Sequence, residues 1–404
     1  MREDHLVPNI SKLSATMNAK EIFAWRAQED VWILQLLHFP NVSGGSFVAS
    51  TSSGGLALFS IANFNQVPLM ANEKAHESSI NSIAKVNDNV FVSASSDGLK
   101  VWDLHKGLEK PVASFTNAKK SNFLSVASSP DGALVAGGTE LVGVDSELHI
   151  WDWRSQELVK SLVDSHHDDI TDIKFHPTLT HYLMSGSTDG YVNVYDLRES
   201  DEDEALHQVI NYNSVHTCNF IRERRISVLS HMETLLFSEL NNADYENPQE
   251  PQPRDVGDLR VWPHCEYVVD VSPLGYAAFG ANSEKALSVM PFNCKTEEFD
   301  TSSIVSFPGA HGEEVVRDVL LVPGSRLAIT CGEDGGIKAW ELPVELEGVT
   351  AVGEQKPTEV KKKDKKDKKK DGEKEERKRR KKEKKEKKEK KKERRGKDAR
   401  FKPY

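Results

Sequence analysis

Serine, histidine and aspartate, the three side-chain types that together can generate a nucleophile, recur in one fixed order along this 404-residue chain. They appear as His76, Ser93 and Asp97, again as His166, Ser185 and Asp189, and again, with threonine for serine, as His311, Thr330 and Asp334. In a hydrolase an imidazole oriented by a carboxylate takes the hydroxyl proton, and one such constellation suffices. Here the set repeats, so it reads as architecture, and the chain is expected not to be an enzyme. Other chemistries lack their residues: there is no GxxxxGK[ST] phosphate loop and no HExxH. Gly44-Gly45, Gly54-Gly55 and Gly137-Gly138 read as turn pairs. The run His166-His167-Asp168-Asp169 holds metal-ligating types, but neighbours on a strand point to opposite faces, which favours a polar loop. Cys218, Cys265, Cys294 and Cys331 lie far apart without a CxxC, so no zinc site or disulfide framework is indicated and a reducing compartment fits. No metal or cofactor is expected.

The elements that must carry these residues are short strands. Each set sits in a longer unit of three alternating apolar and polar runs, with Asp97-Gly98, Asp189-Gly190 or Asp334-Gly335 marking a hairpin. The third run of each unit ends Val101-Trp102-Asp103, Val194-Tyr195-Asp196 or Ala339-Trp340-Glu341. Weaker copies fill the gaps. Phe47–Ile61 lacks the turn aspartate, 134–153 has an inserted turn before Ile150-Trp151-Asp152, and 216–240 and 264–293 keep only apolar alternation. Phe59, Trp102, Trp151, Tyr195, Phe237, Met290 and Trp340 mark seven units roughly 42–53 residues apart, a period that signals radial repetition.

These units resemble the WD-repeat family, in which four-stranded blades pack around a central channel. The resemblance implies an all-β, seven-bladed WD-repeat β-propeller with a disordered or partly helical basic C-terminal tail. It also implies a buried tetrad in each well-formed blade: His76, Ser93, Asp97 and Trp102; His166, Ser185, Asp189 and Tyr195; His311, Thr330, Asp334 and Trp340. Gly137-Gly138-Thr139-Glu140, the run 166–196 and Gly309-Ala310-His311 resemble more narrowly the subfamily of WD repeat-containing protein 89 and its fungal relatives. A segment within His5–Ala24 is expected to close the ring, because an open propeller exposes two sheet edges. The expected organisation is 1–24 as N-terminal segment and closing strand, 25–345 as propeller, and 346–404 as linker and tail.

Charge divides the chain. Residues 356–404 carry 28 of the 53 Lys and Arg and 12 of the 63 Asp and Glu, a net +16, which leaves −26 for residues 1–355. From Lys361 to Asp398 the tail has no apolar side chain to bury, so it must be solvated or bound. Pairs such as Glu383/Lys387 and Glu386/Lys390 support an exposed helix by about 0.2–0.5 kcal/mol each. The blocks Lys361-Lys362-Lys363, Lys368-Lys369-Lys370 and Arg377-Lys378-Arg379-Arg380-Lys381-Lys382 resemble nuclear or nucleolar import signals and phosphate-binding arms. No aromatic interleaves it, so base readout is not indicated. Phe401 and Tyr404 after this charged run suit a short peptide anchor. Asp152-Trp153-Arg154 and Asp196-Leu197-Arg198 resemble the motif by which WD-repeat receptors dock on the adaptor of cullin-type ubiquitin ligases, although such tripeptides also serve local structure; Arg154 and Arg198 are the candidate contacts. The acidic run Glu199–Glu204 and the segment Asn241–Asp258 read as loops. Met1-Arg2-Glu3-Asp4-His5 opens with charges and no apolar core of signal-peptide length follows, so no signal peptide is expected, and the longest apolar runs, such as Val31–Leu37, are too short to span a bilayer.

Together these features predict a soluble, non-enzymatic interaction scaffold, nuclear and nucleolar, associated with ribosome assembly. Proteins would meet the propeller faces and RNA phosphates the tail, without membrane contact, the chain being monomeric within a larger complex. Two alternatives stay open: a ubiquitin-ligase substrate receptor, and a chromatin or histone-tail binding protein.

Overall fold

Alternating β-branched and aromatic residues, interrupted every few positions by tight turns, can bury both faces of a short strand only if sheets stack on one another. In the computed structural model, which describes residues 17–241 and 252–346, they stack in a closed circle of seven blades. Blade 1 comprises Ile33–Phe39, Ser46–Thr51, Leu56–Ser60 and Met70–Asn72, from the channel outward. The first strands of blades 2 to 7 are Ser82–Lys85, Phe123–Ser128, Ile170–Phe175, Val215–Arg222, Tyr267–Ser272 and Val316–Leu321. Each is followed antiparallel by its second, third and outer strands.

The apolar core is divided among the blade junctions. Between blades 1 and 2, Phe39, Val48 and Leu58 meet Ile80, Phe91 and Trp102. Between blades 7 and 1, Ile329 and Ile337 meet Ile33 and Phe47. Every adjacent pair shares such a cluster, and each fully buried large side chain contributes about 1.5–3 kcal/mol. Phe59, Trp102, Trp151, Tyr195, Phe237, Met290 and Trp340 all lie buried on third strands.

The circle is closed by the N-terminal segment. Lys20–Arg26 forms the outer strand of blade 7, antiparallel to Gly336–Glu341. It starts inside the expected segment and runs two residues past Ala24. Just before it, Met17–Asn18 adds a parallel strand to the outer edge of blade 6.

The three tetrads are assembled, with one change in what they join. His76 Nε2 meets Ser93 Oγ at 2.6 Å, His76 Nδ1 meets Asp97 Oδ1 at 2.5 Å, and Trp102 Nε1 donates to Ser93 Oγ at 2.8 Å. His311, Thr330, Asp334 and Trp340 repeat the pattern at 2.7–3.0 Å. In the third set His166 bonds Ser185 and Asp189, while Tyr195 OH lies farther away, 3.4 Å from Ser185 Oγ. The imidazoles, however, come from the preceding blade or from the connection after it. His166 ends the outer strand Glu157–His166 of blade 3, and His76 follows the outer strand of blade 1. The sequence unit is therefore out of phase with the blade, and each tetrad fastens two blades. Burial opposes the charges of Asp97, Asp189 and Asp334, but hydrogen bonds from the histidines, and from Lys100 at Asp97, outweigh it and hold all three carboxyls below their usual range.

Three sequence expectations are corrected. The segment Asn241–Asp258 is not all loop, since Arg254–Asp258 is the outer strand of blade 5, antiparallel to Thr234–Glu239. Gly137-Gly138 lies within the strand Leu134–Thr139, where a Cβ would come within 2.8 Å of Leu99 and Phe123 or 2.5 Å of Ile170. Close approach of neighbouring blades, not a turn, requires these glycines. Within Glu199–Glu204, Glu202 starts a short helix, Glu202–Ala205, and its carboxylate accepts from Val163 N, Asp164 N and Ser165 Oγ on blade 3's outer strand. That strand is a sheet edge with spare N–H groups, so an acceptor from blade 4 is drawn onto it. By contrast Gly98 does sit in the expected hairpin, at φ +110°, where a Cβ would lie 2.2 Å from Phe115 O.

Ser93→Ala is expected to leave His76 Nε2 and Trp102 Nε1 buried without partners, destabilising the fold by about 2–4 kcal/mol in urea unfolding. Tyr195→Phe, which removes only longer contacts, should cost about 1 kcal/mol or less. Equal midpoints for Ser93→Ala and the parent would show that the network carries no stability.

Candidate functional site

Blade sheets have two edges, and the inner edge faces the channel. Its free N–H and C=O groups need acceptors and donors, and the first strands supply them by a shared irregularity. In blades 1 and 3 to 7 the pairing of first with second strand slips at an equivalent place: Ile33/Gln35, Phe123/Ser125, Ile170/Asp172, Val215/Thr217, Val268/Asp270 and Val316/Asp318, with a second slip in blade 5 at Phe220/Arg222. In blade 2 Asn81 N and Ser82 both address Ala94, the same arrangement. A bulge re-aims the side chain that follows it. Here it lays Gln35, Ser82, Ser125, Asp172, Thr217, Asp270 and Asp318 in a row round the channel.

Side chains in or beside that row bond across every junction. Gln35 Oε1 accepts from Ile83 N at 2.7 Å, Asn81 Nδ2 donates to Phe123 O at 2.9 Å, and Ser125 Oγ donates to Ile170 O at 2.7 Å. Asp172 Oδ2 accepts from Cys218 N at 3.0 Å, and Glu233 Oε2 from Val268 N at 2.9 Å. Tyr267 OH accepts from Val316 N at 2.9 Å, and Asp318 Oδ2 from Leu36 N at 2.8 Å, which completes the circle.

Within this hoop lies a cavity of about 960 Å³ lined by all seven first strands. At its mouth stand Trp32, His216, His231 and Arg317. The His216 and His231 rings lie 5.2 Å apart, and burial together with His231 pushes His216 down to about 4, so it is neutral at physiological pH. Deeper in, Lys174 Nζ meets Asp172 Oδ1 at 2.6 Å. Burial pushes Asp270 up to about 7 and Asp318 up to about 6; Asp318 and Asp172 add to the effect at Asp270, against the pull of Lys174. The channel wall thus presents charge of both signs, Lys85, Lys174 and Arg317 beside Asp172, Asp270 and Asp318, and can hold hydrogen-bonding groups. Sequence reasoning missed these residues, although a polar side chain at the third position of Ile170-Thr171-Asp172-Ile173 and Val316-Arg317-Asp318-Val319 was a usable signal.

The expected contact residues Arg154 and Arg198 lie in equivalent turns of blades 3 and 4, each bound to its own tripeptide. Asp152 Oδ1 accepts from Arg154 N at 2.9 Å, and the Arg154 guanidinium lies 4.8 Å from the centre of the Trp153 ring. Asp196 takes both N and Nε of Arg198, at 3.0 and 2.9 Å. Asp258-Leu259-Arg260 makes the same bonds in another setting, so the tripeptide is a self-capping turn. Arg377, Arg379, Arg380, Phe401 and Tyr404 lie outside the described residues. Blade 3 holds a further serine–histidine–carboxylate contact: His149 bonds Ser161 Oγ and Glu147 Oε2, both at 2.8 Å. Asn117 and Lys119 also bind Glu147, at 2.7 and 3.0 Å, so this group anchors a blade lacking the tetrad. Among the described residues no three His, Cys, Asp or Glu side chains gather as a metal site, and no helix is long and apolar enough to cross a membrane.

The raised Asp270 value carries a sign. The folded state keeps a proton that the unfolded chain has lost, so this group's contribution is full below about pH 4 and is lost as pH rises through about 7. Asp270→Asn is expected to stabilise the protein at pH 8 by on the order of 2 kcal/mol and to change it little at pH 4, as read from urea midpoints. A destabilised variant at pH 8 would contradict the burial account.

Comparison with known proteins agrees with this geometry. The family model described as WD domain, G-beta repeat matches residues 109–152, 156–196 and 302–341. A WD repeat-containing protein of Saccharomyces cerevisiae is 44% identical over 278 residues, covering 66% of this chain and 69% of that protein. One from Schizosaccharomyces pombe is 30% identical over 235 residues, 55% of this chain and 69% of that protein. The WD repeat-containing protein 89 homolog of Dictyostelium discoideum is 30% identical over 165 residues, 40% of this chain and 43% of its own. With repeats matched by the family model, a relative aligned over two thirds of its length and seven blades in a closed ring, the chain belongs to the WD-repeat family of β-propellers.

Proposed function

We propose that this protein is a nuclear, nucleolar docking scaffold of ribosome assembly that works by binding and not by catalysis. Its propeller holds protein partners as a monomer within a larger particle, and residues 361–404 lie along RNA phosphates. One observation carries this reading: the chain joins a body of net −26 to an end of net +16. A body so acidic repels phosphate and attracts basic protein segments, whereas the lysine blocks do the reverse. With six phosphate contacts, affinity falls about a thousandfold between roughly 50 and 200 mM salt. Deletion of residues 361–404 is expected to abolish nucleolar enrichment and salt-sensitive co-sedimentation with pre-ribosomal particles. Unchanged behaviour of the truncated chain rejects the RNA part.

A second reading, docking on a ubiquitin-ligase adaptor, is favoured by the placement of Arg154 and Arg198 in equivalent turns of adjacent blades, with the Arg198 side chain 62% exposed. If it holds, Arg154→Ala with Arg198→Ala removes adaptor binding while the unfolding midpoint stays within about 1 kcal/mol of the parent. Failure to recover any adaptor with the parent protein dismisses it.

A further inference from the structure

The acidic run Glu199-Ser200-Asp201-Glu202-Asp203-Glu204 is interrupted by one serine. It joins the third and outer strands of blade 4, and residues 197–201 belong to neither helix nor strand. The fold divides the four carboxylates that follow the serine. Asp201 turns back to accept from Asp203 N and Glu204 N, at 3.0 and 3.3 Å, and Glu202 is held on the outer strand of blade 3. Asp203 and Glu204, third and fourth after the serine, are exposed, and among the described residues no cation pairs with either.

Elsewhere hydroxyls that precede acid pairs are already in use. Ser165, before Asp168 and Asp169, donates to Glu202 Oε1 at 2.5 Å. Thr296, before Glu297 and Glu298, donates to Glu298 Oε2 at 3.0 Å, and Glu297 is buried with Arg222, Arg225 and Arg254 around it. Thr330, before Glu333 and Asp334, is buried in its tetrad. Ser200 differs from all three: it is exposed, and no described residue bonds its hydroxyl. An accessible hydroxyl in irregular backbone, followed by carboxylates that point to solvent, has the form of a substrate segment. Phosphoryl transfer depends on positioning and charge, so the residues flanking a serine decide which kinase can hold it.

We infer that Ser200 is a phosphorylation site, the substrate of a serine kinase whose peptide groove is lined with lysine and arginine and binds the carboxylates after the serine. Ser200 Oγ attacks the γ-phosphorus of a nucleoside triphosphate, and the bond from that phosphorus to the β–γ bridging oxygen breaks. The nucleoside diphosphate leaves, and the hydroxyl proton passes to a base of the kinase. The product carries about two negative charges at neutral pH. Two cations stand close to it in the chain or the fold. Glu199 O, one residue away, holds the Lys160 ammonium, and Arg198, two residues away, keeps its side chain largely exposed. Charge-assisted bonds from these groups offset the repulsion of the neighbouring carboxylates. They also draw Arg198 toward its own chain, away from a partner at that turn.

The test is incubation of the full chain with ATP and a purified serine kinase that requires acidic residues after its target, followed by intact mass and mapping of the modified peptide. One phosphoryl group on Ser200 is expected, and Ser200→Ala should lose it. Asp203→Asn combined with Glu204→Gln should lower the initial rate by about tenfold or more. All three side chains are exposed, so each variant is expected to unfold at the parent's urea midpoint, which separates recognition from folding. No incorporation into the parent, equal incorporation into Ser200→Ala, or an unchanged rate after Asp203 and Glu204 are neutralised overturns the inference.

Discussion

The innermost strand of every blade has a row of backbone groups with no further strand to pair with, and the structure depends on how that row is satisfied. A side chain from one blade reaches the N–H or C=O of the next at all seven junctions, from Gln35 to Ile83 N round to Asp318 and Leu36 N. Such contacts are individually worth about 1 kcal/mol. Leaving the groups unpaired beside a narrow channel would cost more, and the cost would recur at every blade. Because the acceptors come from neighbours, satisfying the inner edge and closing the ring are one event. Lys20–Arg26, paired with Gly336–Glu341, completes the same event at the outside.

The tetrads act at a second radius. Each places an imidazole from one blade, or from the link that follows it, onto the hydroxyl and carboxylate of the next, with the indole or phenol below. Their serine, histidine and aspartate have the composition of a nucleophile but not its opportunity. Ser93, Ser185 and Thr330 are fully buried, and their hydroxyls are already engaged. Where the set is absent, as in blade 3, Glu147, His149 and Ser161 assemble a different anchor from another position on the sheet.

With fastening assigned to those residues, recognition is left to the channel and the faces. The channel gathers charge of both signs, Lys85, Lys174 and Arg317 beside Asp172, Asp270 and Asp318, and burial keeps Asp270 and Asp318 protonated to unusually high pH. Buried charge without a partner is costly in any fold.

Much of this was legible from residues alone. The period of the aromatic positions and the Asp-Gly hairpins marked seven repeated units, because alternation and turn chemistry act locally, and the family resemblance of those units implied the propeller and the membership of the tetrads. The opposed charges of body and tail were equally plain. Tertiary structure decided what depends on which strands become neighbours. It put His166 on blade 3 while its partners lie on blade 4, and it placed Gly137 and Gly138 where two blades nearly touch. It also turned Glu202 from an apparent loop residue into an acceptor on a sheet edge, and it left Asp270 facing the cavity because Tyr267 had taken its place at the junction. None of these follows from local pattern, since each is settled by a contact between residues far apart in the chain, and only the closed ring brings them together.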